Sequence, residues 1–149
     1  MTVAYVGLGS NLGDREATIR RAAELIGARR LSTIRETEPW GYADQPPFLN
    51  AVAEVETDLG PHAFLEHLLA VERDLGRERT GPRYGPRTID LDLLVHGDAS
   101  VSEPGLTVPH PRLGERLFVL EPLAELAPDL DVSGAGEVRE LLRGLQSDA

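Results

Sequence analysis

One short stretch of the chain, residues 88–95, reads Thr-Ile-Asp-Leu-Asp-Leu-Leu-Val. Its alternation predicts a strand with apolar side chains on one face and Asp90 and Asp92 on the other. Aspartate is depleted from strands, and like charges two residues apart repel unless a positive group lies between them. Two carboxylates about 6–7 Å apart on a rigid strand can share a divalent cation. Without its context, such an Asp-x-Asp strand is equally compatible with a solvated face.

The segment before this strand is rich in arginine. Arg77, Arg79, Arg83 and Arg87 lie among glycines and prolines. A loop arginine is usually only a solvated charge, but guanidinium groups bind phosphate oxygens in a bidentate manner, and Mg²⁺ prefers carboxylate and phosphate oxygens. An acidic strand beside an arginine loop therefore predicts a metal–polyphosphate site.

The remaining patterns place this strand last in a β-α-β-β-α-β order. Asp14 and Gly27 are typical helix-capping residues, and Pro61 suits the first turn of a second helix. The predicted strands are Val3–Leu8, Leu31–Thr37, Phe48–Thr57 and residues 88–95, and the predicted helices run from Asp14 to Ile26 and from Pro61 to Leu75. The order is that of an α+β, ferredoxin-like sandwich with a mainly antiparallel sheet. Additional C-terminal helices are predicted up to Leu126 and over Glu137–Leu145.

Composition limits the class of protein. The 149 residues, 41% of them hydrophobic, fit one domain spanning 1–149. No apolar run approaches the roughly 18 residues of a membrane span, and no signal peptide is visible, so a cytoplasmic protein that does not bind membranes is expected. The net charge of −10 argues against nucleic-acid binding. Cysteine is absent, and all fifteen basic residues are arginine, which excludes a P-loop lysine. A monomer is expected, because no extended apolar stripe is left unexplained.

Four stretches together carry a family resemblance. They are Tyr-Val-Gly-Leu-Gly-Ser-Asn-Leu-Gly-Asp at 5–14, Asp-Gln-Pro-Pro-Phe-Leu-Asn at 44–50, Gly-Pro-Arg-Thr-Ile-Asp-Leu-Asp-Leu at 85–93 and Leu-Thr-Val-Pro-His-Pro at 106–111. In this order the chain resembles the 6-hydroxymethyl-7,8-dihydropterin pyrophosphokinases along essentially its whole length. The resemblance implies a folate-pathway enzyme that moves pyrophosphate from ATP to the pterin hydroxymethyl group, with no fused neighbouring enzyme expected.

The resemblance also implies residue roles. Asp90 and Asp92 would ligate two Mg²⁺ ions, and with Arg77 and Arg87 they would form the catalytic set. The residues implied for ATP are Glu72, Arg77, Arg79, Arg87, Leu93, Thr107, His110 and Arg116. The residues implied for the pterin are Thr37, Trp40, Phe48, Asn50, Tyr84 and Phe118. Gly105 departs from the arginine of some family members, and Tyr84 stands where some carry tryptophan.

Several of these residues have structural alternatives. A phenylalanine is by default a core residue. His110, held between two prolines, suits a fixed donor, and a structural role is its less favoured alternative. Glu72 interrupts an apolar helix stripe, so its carboxylate needs a partner: an arginine, a contact behind the metal, or a boundary pairing with Arg73 or Arg77. The other three histidines, His62, His67 and His96, show no ligand spacing and are expected at the surface.

Two other classes of function are alternatives to this one. A nucleotidyltransferase also combines Gly-Ser with Asp-x-Asp, but about 80 residues separate Gly9 from Asp90 here, which is too long for that motif. A non-catalytic ferredoxin-like sensor would gain nothing from an acidic pair beside an arginine loop.

Overall fold

The sheet at the centre of the protein is antiparallel. The computed structural model describes residues 1–10, 14–37, 48–75 and 89–147. The strands are β1 (Thr2–Ser10), β2 (Ala28–Leu31), β3 (Arg35–Thr37), β4 (Phe48–Thr57), β5 (Asp90–His96), β6 (Val101–Glu103), β7 (Leu106–Val108), β8 (Asp131–Val132) and β9 (Gly136–Glu137). The helices are α1 (Arg15–Ile26), α2 (Pro61–Leu75), α3 (Leu117–Leu126) and α4 (Val138–Ser147), with a 3-10 turn at Leu113–Glu115. Across the sheet the strands follow the order β2-β4-β1-β5, with β3 also paired to β4. The predicted ferredoxin-like order of elements along the chain is confirmed, with β2 and β3 together forming its second strand.

The caps of α1 agree with the sequence prediction. The Asp14 side chain accepts a hydrogen bond from the Ala17 amide at 3.2 Å. Gly27 ends the helix with a φ of 83°, a left-handed conformation that glycine adopts without steric cost.

The predicted strand Leu31–Thr37 is wrong as a single element. The strand begins earlier, at Ala28, and is interrupted at residues 32–34. Ser32 turns its side chain into the sheet, where its Oγ accepts from the Val52 amide at 2.9 Å. Beyond it, the Thr33 amide donates to Glu125 of α3 at 2.9 Å. At the break, side-chain oxygens of Ser32 and Glu125 thus take the place of backbone partners in the ladder.

Each face of the sheet has its own apolar cluster. Helices α1 and α2 pack on one face, over the even-numbered residues of β1 and the odd-numbered residues of β4. Helices α3 and α4 pack on the opposite face, around Tyr5, Val52 and Leu94. The predicted C-terminal helices are therefore confirmed, and they form a third layer.

One histidine prediction is wrong. His96, at the end of β5, is only 4% exposed. Its Nε2 lies 2.9 Å from the Leu59 carbonyl oxygen, and its ring meets Phe64 edge-on. A hydrogen bond at the polar edge and an aromatic contact at the apolar face allow this imidazole to be buried.

Candidate active site

Three strands bring the predicted site residues into one row. In the register of the sheet, Gly9 of β1 pairs with Asn50 of β4 on one side and with Asp90 of β5 on the other. Gly7 pairs in the same way with Val52 and Asp92. Paired residues of antiparallel strands lie on the same face. Since Val52 belongs to the cluster under α3, this row lies on the α3 side of the sheet.

Gly7 and Gly9 leave β1 without side chains of its own on this face, and the region above them, between β4 and β5, is called the recess here. A Cβ atom at Gly9 would lie 2.9 Å from Asn50 Oδ1 and 3.6 Å from Phe48 Cδ1. One at Gly7 would meet Leu94 at 3.7 Å, an ordinary contact. With neighbouring strands about 4.8 Å apart, β4 and β5 are separated by roughly 10 Å. The Asn50 amide leans over Gly9 and the Leu94 side chain over Gly7, and the acidic pair lies on the β5 side of this floor.

The acidic pair offers the donors that Mg²⁺ prefers. Asp90 is half-buried and Asp92 is exposed. Both lie at the beginning of β5, which is the edge strand of the sheet. Within the described ranges, no cluster of three or more histidine, cysteine or acidic side chains could hold a metal ion. Mg²⁺ is usually bound by one or two carboxylates together with waters and substrate phosphates, and Asp90 and Asp92 are two such carboxylates.

Helix α2 contacts the acidic strand through Glu72. Its half-buried carboxylate accepts a hydrogen bond from the Leu91 amide at 2.7 Å. Glu72 thus has a backbone partner between the two aspartates, which the sequence alternatives did not include. Its contact with ATP stays a prediction.

His110 lies beside the acidic pair and is held by its backbone and its ring. Its amide donates to the Leu94 carbonyl at 2.8 Å, and its Nδ1 accepts from the Arg112 amide at 3.2 Å. Burial lowers the pKa of His110 below its ordinary value; the Asp92 carboxylate opposes this, and Arg116 and Arg112 add to the lowering. The lowered pKa favours the neutral ring, and since Nδ1 is the acceptor, that neutral form carries its proton on Nε2.

Arg116 and Phe118 form the wall at the start of α3. The Arg116 guanidinium lies over the Phe118 ring at 5.5 Å, a cation–π contact. Phe118 is half-buried against the cluster under α3. It lies on the same side of the sheet as Phe48.

Some of the other predicted residues lie in the described structure, and the rest lie outside it. Thr107 is exposed on β7, whereas Leu93 is 5% exposed and packs in the opposite cluster, so that only its backbone is available on the site face. The backbone of Thr37 pairs with Phe48. Predictions for Trp40, Arg77, Arg79, Arg83, Tyr84 and Arg87 lie outside the described residues.

Sequence reasoning missed a polar network beneath α3. Glu54, 3% exposed, accepts from the Tyr5 hydroxyl at 2.7 Å and from Arg29 Nε at 2.8 Å. Burial alone would raise the pKa of Glu54, but these hydrogen bonds and the nearby arginines outweigh it, so the net shift is downward. Burial, together with Glu54, raises the pKa of Tyr5 to about 12. The strand period places Glu54 on the same face of β4 as Val52 and Asn50, and this pattern was the sign in the sequence of a buried carboxylate.

The fold and the paired carboxylates define an α+β protein with an acidic pair on its antiparallel sheet, and its relatives then specify the family. The sequence profile described as 7,8-dihydro-6-hydroxymethylpterin-pyrophosphokinase matches residues 5–128. The chain therefore belongs to the 7,8-dihydro-6-hydroxymethylpterin-pyrophosphokinase family, and it is an enzyme of the pyrophosphokinase class.

Two relatives carry the same name, 2-amino-4-hydroxy-6-hydroxymethyldihydropteridine pyrophosphokinase. The protein of Methylorubrum extorquens is 48% identical over 151 residues, covering 97% of this chain and 94% of its own. That of Bacillus subtilis is 45% identical over 135 residues, covering 87% of this chain and 80% of its own.

The fold is also found among solved structures. A crystal structure of HPPK-DHPS in complex with substrates superposes with a TM-score of 0.76 at 14% identity, covering 99% of this chain. The chain spans 46% of that longer protein, and at this identity the likeness shows the fold alone.

No helix in the described parts of the chain is long and apolar enough to cross a membrane.

Proposed function

We propose that this pyrophosphokinase acts in folate biosynthesis by transferring the terminal pyrophosphoryl group of ATP to 6-hydroxymethyl-7,8-dihydropterin. The pterin hydroxymethyl oxygen attacks the β-phosphorus and forms a new P–O bond. The bond from the β-phosphorus to the oxygen shared with the α-phosphate breaks, and AMP leaves with that oxygen. The hydroxyl proton is released, so the products are AMP and the pterin pyrophosphate.

The observation that carries this proposal is the row Asn50–Gly9–Asp90 across three strands. The row has a side chain suited to a heterocycle and a carboxylate suited to a metal–phosphate on one face, on strands that lie roughly 10 Å apart. A transfer reaction needs both substrates side by side, because holding the reacting atoms in contact supplies much of the rate enhancement.

The pterin would occupy the β4 side of the recess. Asn50 has both a donor and an acceptor for an amide-like ring edge, and Phe48 and Phe118 offer ring faces for offset stacking. Thr37, Trp40 and Tyr84 are proposed to complete this pocket.

Two Mg²⁺ ions are proposed at Asp90 and Asp92. When bound, they would neutralise the charge of the triphosphate and lower the pKa of the pterin hydroxyl. For this reason we assign no side chain the role of general base.

The nucleotide would lie on the β5 side. Neutral His110 offers its Nε2 proton to a phosphate oxygen, and Arg116 adds a cation next to it. Thr107, Glu72 and the backbone of Leu93 are proposed to contact the rest of the nucleotide. From the loop, Arg79 is proposed as a phosphate ligand, and Arg77 and Arg87 as catalytic donors to the transferring group.

A single assay tests the proposal against its rivals. The protein is incubated with ATP, Mg²⁺ and 6-hydroxymethyl-7,8-dihydropterin, and nucleotide and phosphate products are separated by chromatography. Formation of AMP with pterin pyrophosphate supports the proposal, and Asp92→Asn, which keeps the shape of the side chain, should abolish it. Release of inorganic pyrophosphate instead would indicate a nucleotidyltransferase, a rival to consider because the sheet places Gly9 directly beside Asp90. An absence of turnover would indicate a binding module.

The remaining proposals concern the state of the protein. We propose a monomer of one pyrophosphokinase domain over residues 1–149, acting in the cytoplasm. Sedimentation equilibrium at micromolar concentration tests the monomer, and limited proteolysis tests the single domain.

A further inference from the structure

The acidic strand lies at the end of the sheet, where its outer edge needs partners. In an antiparallel ladder, alternate residues turn their amide and carbonyl groups away from the neighbouring strand. Strand β5 pairs with β1 on one side and ends the sheet order on the other. Amide groups left unpaired along such an edge carry a free-energy cost and allow the strand to fray.

Two contacts hold this edge around the acidic pair. The Leu91 amide, between Asp90 and Asp92, donates to the Glu72 carboxylate at 2.7 Å. Three residues further on, the Leu94 carbonyl accepts from the His110 amide at 2.8 Å. The segment 91–94 is thus fixed by α2 at one end and by the His110 segment at the other.

The first contact has the features of a strong hydrogen bond. Its acceptor is a carboxylate, the bond is short, and Leu91 is only 5% exposed, so water competes poorly for the amide. The peptide on which it acts joins Asp90 to Leu91, and the next peptide leads to Asp92. Any rotation of this segment would change the distance between the two carboxylates and their direction.

We propose that Glu72 is a positioning residue: its carboxylate fixes the Leu91 peptide and thereby the spacing and direction of Asp90 and Asp92. The inference rests on the proposed function for the metal–nucleotide role of the two aspartates. It goes beyond the predicted nucleotide contact of Glu72, because the carboxylate acts through the strand.

The test combines a backbone measurement with a binding measurement. Amide hydrogen exchange of Leu91 is followed by NMR in the protein without ligands. Calorimetry then measures the affinity for the Mg²⁺ complex of α,β-methylene-ATP, which cannot be cleaved at the reacting bond. The variants are Glu72→Ala, which removes the acceptor, and Glu72→Gln, which keeps a neutral one. Glu66→Ala is the matched control, since it removes an exposed carboxylate from the same helix.

We expect Leu91 to exchange roughly tenfold faster or more in Glu72→Ala, the fold-change of a lost charge-assisted hydrogen bond, with little change in Glu66→Ala. The affinity for the Mg²⁺–nucleotide should fall in Glu72→Ala and be largely restored in Glu72→Gln. If Glu72→Ala does not fold, Glu72→Asp replaces it, because its side chain is one methylene too short to reach Leu91.

Two results would overturn the inference. Unchanged Leu91 exchange with a lost nucleotide affinity would make Glu72 a direct ligand of the nucleotide. Faster exchange with unchanged affinity would make the bond purely structural. The exchange measurement needs no substrate, so it stands even if the wild-type protein forms no AMP.

Discussion

The floor of the recess can be tested by adding one methyl group. In Gly9→Ala the new Cβ would lie 2.9 Å from Asn50 Oδ1, whereas ordinary contact begins at 3.4 Å. The Asn50 amide must therefore move by about 0.5 Å, the difference between these distances. The backbone of Gly9 has no positive φ, so the strand itself accepts alanine.

The expected loss lies in pterin binding and not in stability. A displaced amide loses or weakens one to two hydrogen bonds of about 1 kcal/mol each, so the pterin Kd should rise about 5- to 30-fold. Replacing glycine also lowers the conformational entropy of the unfolded chain. This stabilises the folded protein by about 0.4–1 kcal/mol and offsets the contact strain. We expect the free energy of unfolding to stay within about 1 kcal/mol of wild type.

Calorimetry with 6-hydroxymethyl-7,8-dihydropterin, in the presence of Mg²⁺ and α,β-methylene-ATP, measures this loss. Gly7→Ala is the matched comparison, because its Cβ would meet only Leu94 at an ordinary 3.7 Å. The pterin affinity should fall clearly further in Gly9→Ala than in Gly7→Ala. Equal pterin affinities in Gly9→Ala and wild type would refute the placement of Asn50 at the pterin edge.

Four further outcomes are expected. Asp92→Asn should fold normally but lose at least about 10²-fold in turnover, measured as AMP formation; activity within a few-fold of wild type would remove Asp92 from the metal site. The same variant should lower the pKa of His110 further in an NMR titration, because the Asp92 charge favours the imidazolium; an unchanged or higher value would contradict this proximity. The free energy of unfolding should fall by about 2–3 kcal/mol between pH 10 and pH 12, because Tyr5 loses its proton at a lower pH in the unfolded state than in the folded state. Urea titrations at these pH values measure the loss, and Tyr5→Phe should not show it. Arg87→Ala should lower kcat more than it raises the KM for ATP, whereas a raised KM alone would indicate uniform binding.

Sequence patterns predicted the elements whose causes are local. The caps at Asp14 and Gly27 and the strand Phe48–Thr57 depend on neighbouring residues, and the structure reproduces them. The break at residues 32–34 was missed because its cause, Glu125, lies 92 positions from Thr33 along the chain. The burial of His96 was missed for the same reason, since its partner is the distant Leu59 carbonyl.

The candidate site shows the same division. The chemistry of Asp90 and Asp92 is readable from their spacing, but their position opposite Asn50 follows from the pairing of β1 with both β4 and β5. Glu72 was recognised as needing a partner, and its partner is a backbone amide, which carries no sequence signal of its own. The residue types predict the chemistry, and the sheet register determines the distances.

Strand β1 has a practical consequence for altering this enzyme. Its even-numbered residues, Ala4, Val6 and Leu8, pack under α1 and α2, whereas Gly7 and Gly9 lie under the recess. The two sets alternate along one strand and face opposite ways. A variant library confined to the even positions and to the residues of α1 and α2 that pack on them is suited to raising the melting temperature without touching the substrates. One confined to positions 7 and 9 would instead screen for altered ligand preference within an unchanged scaffold.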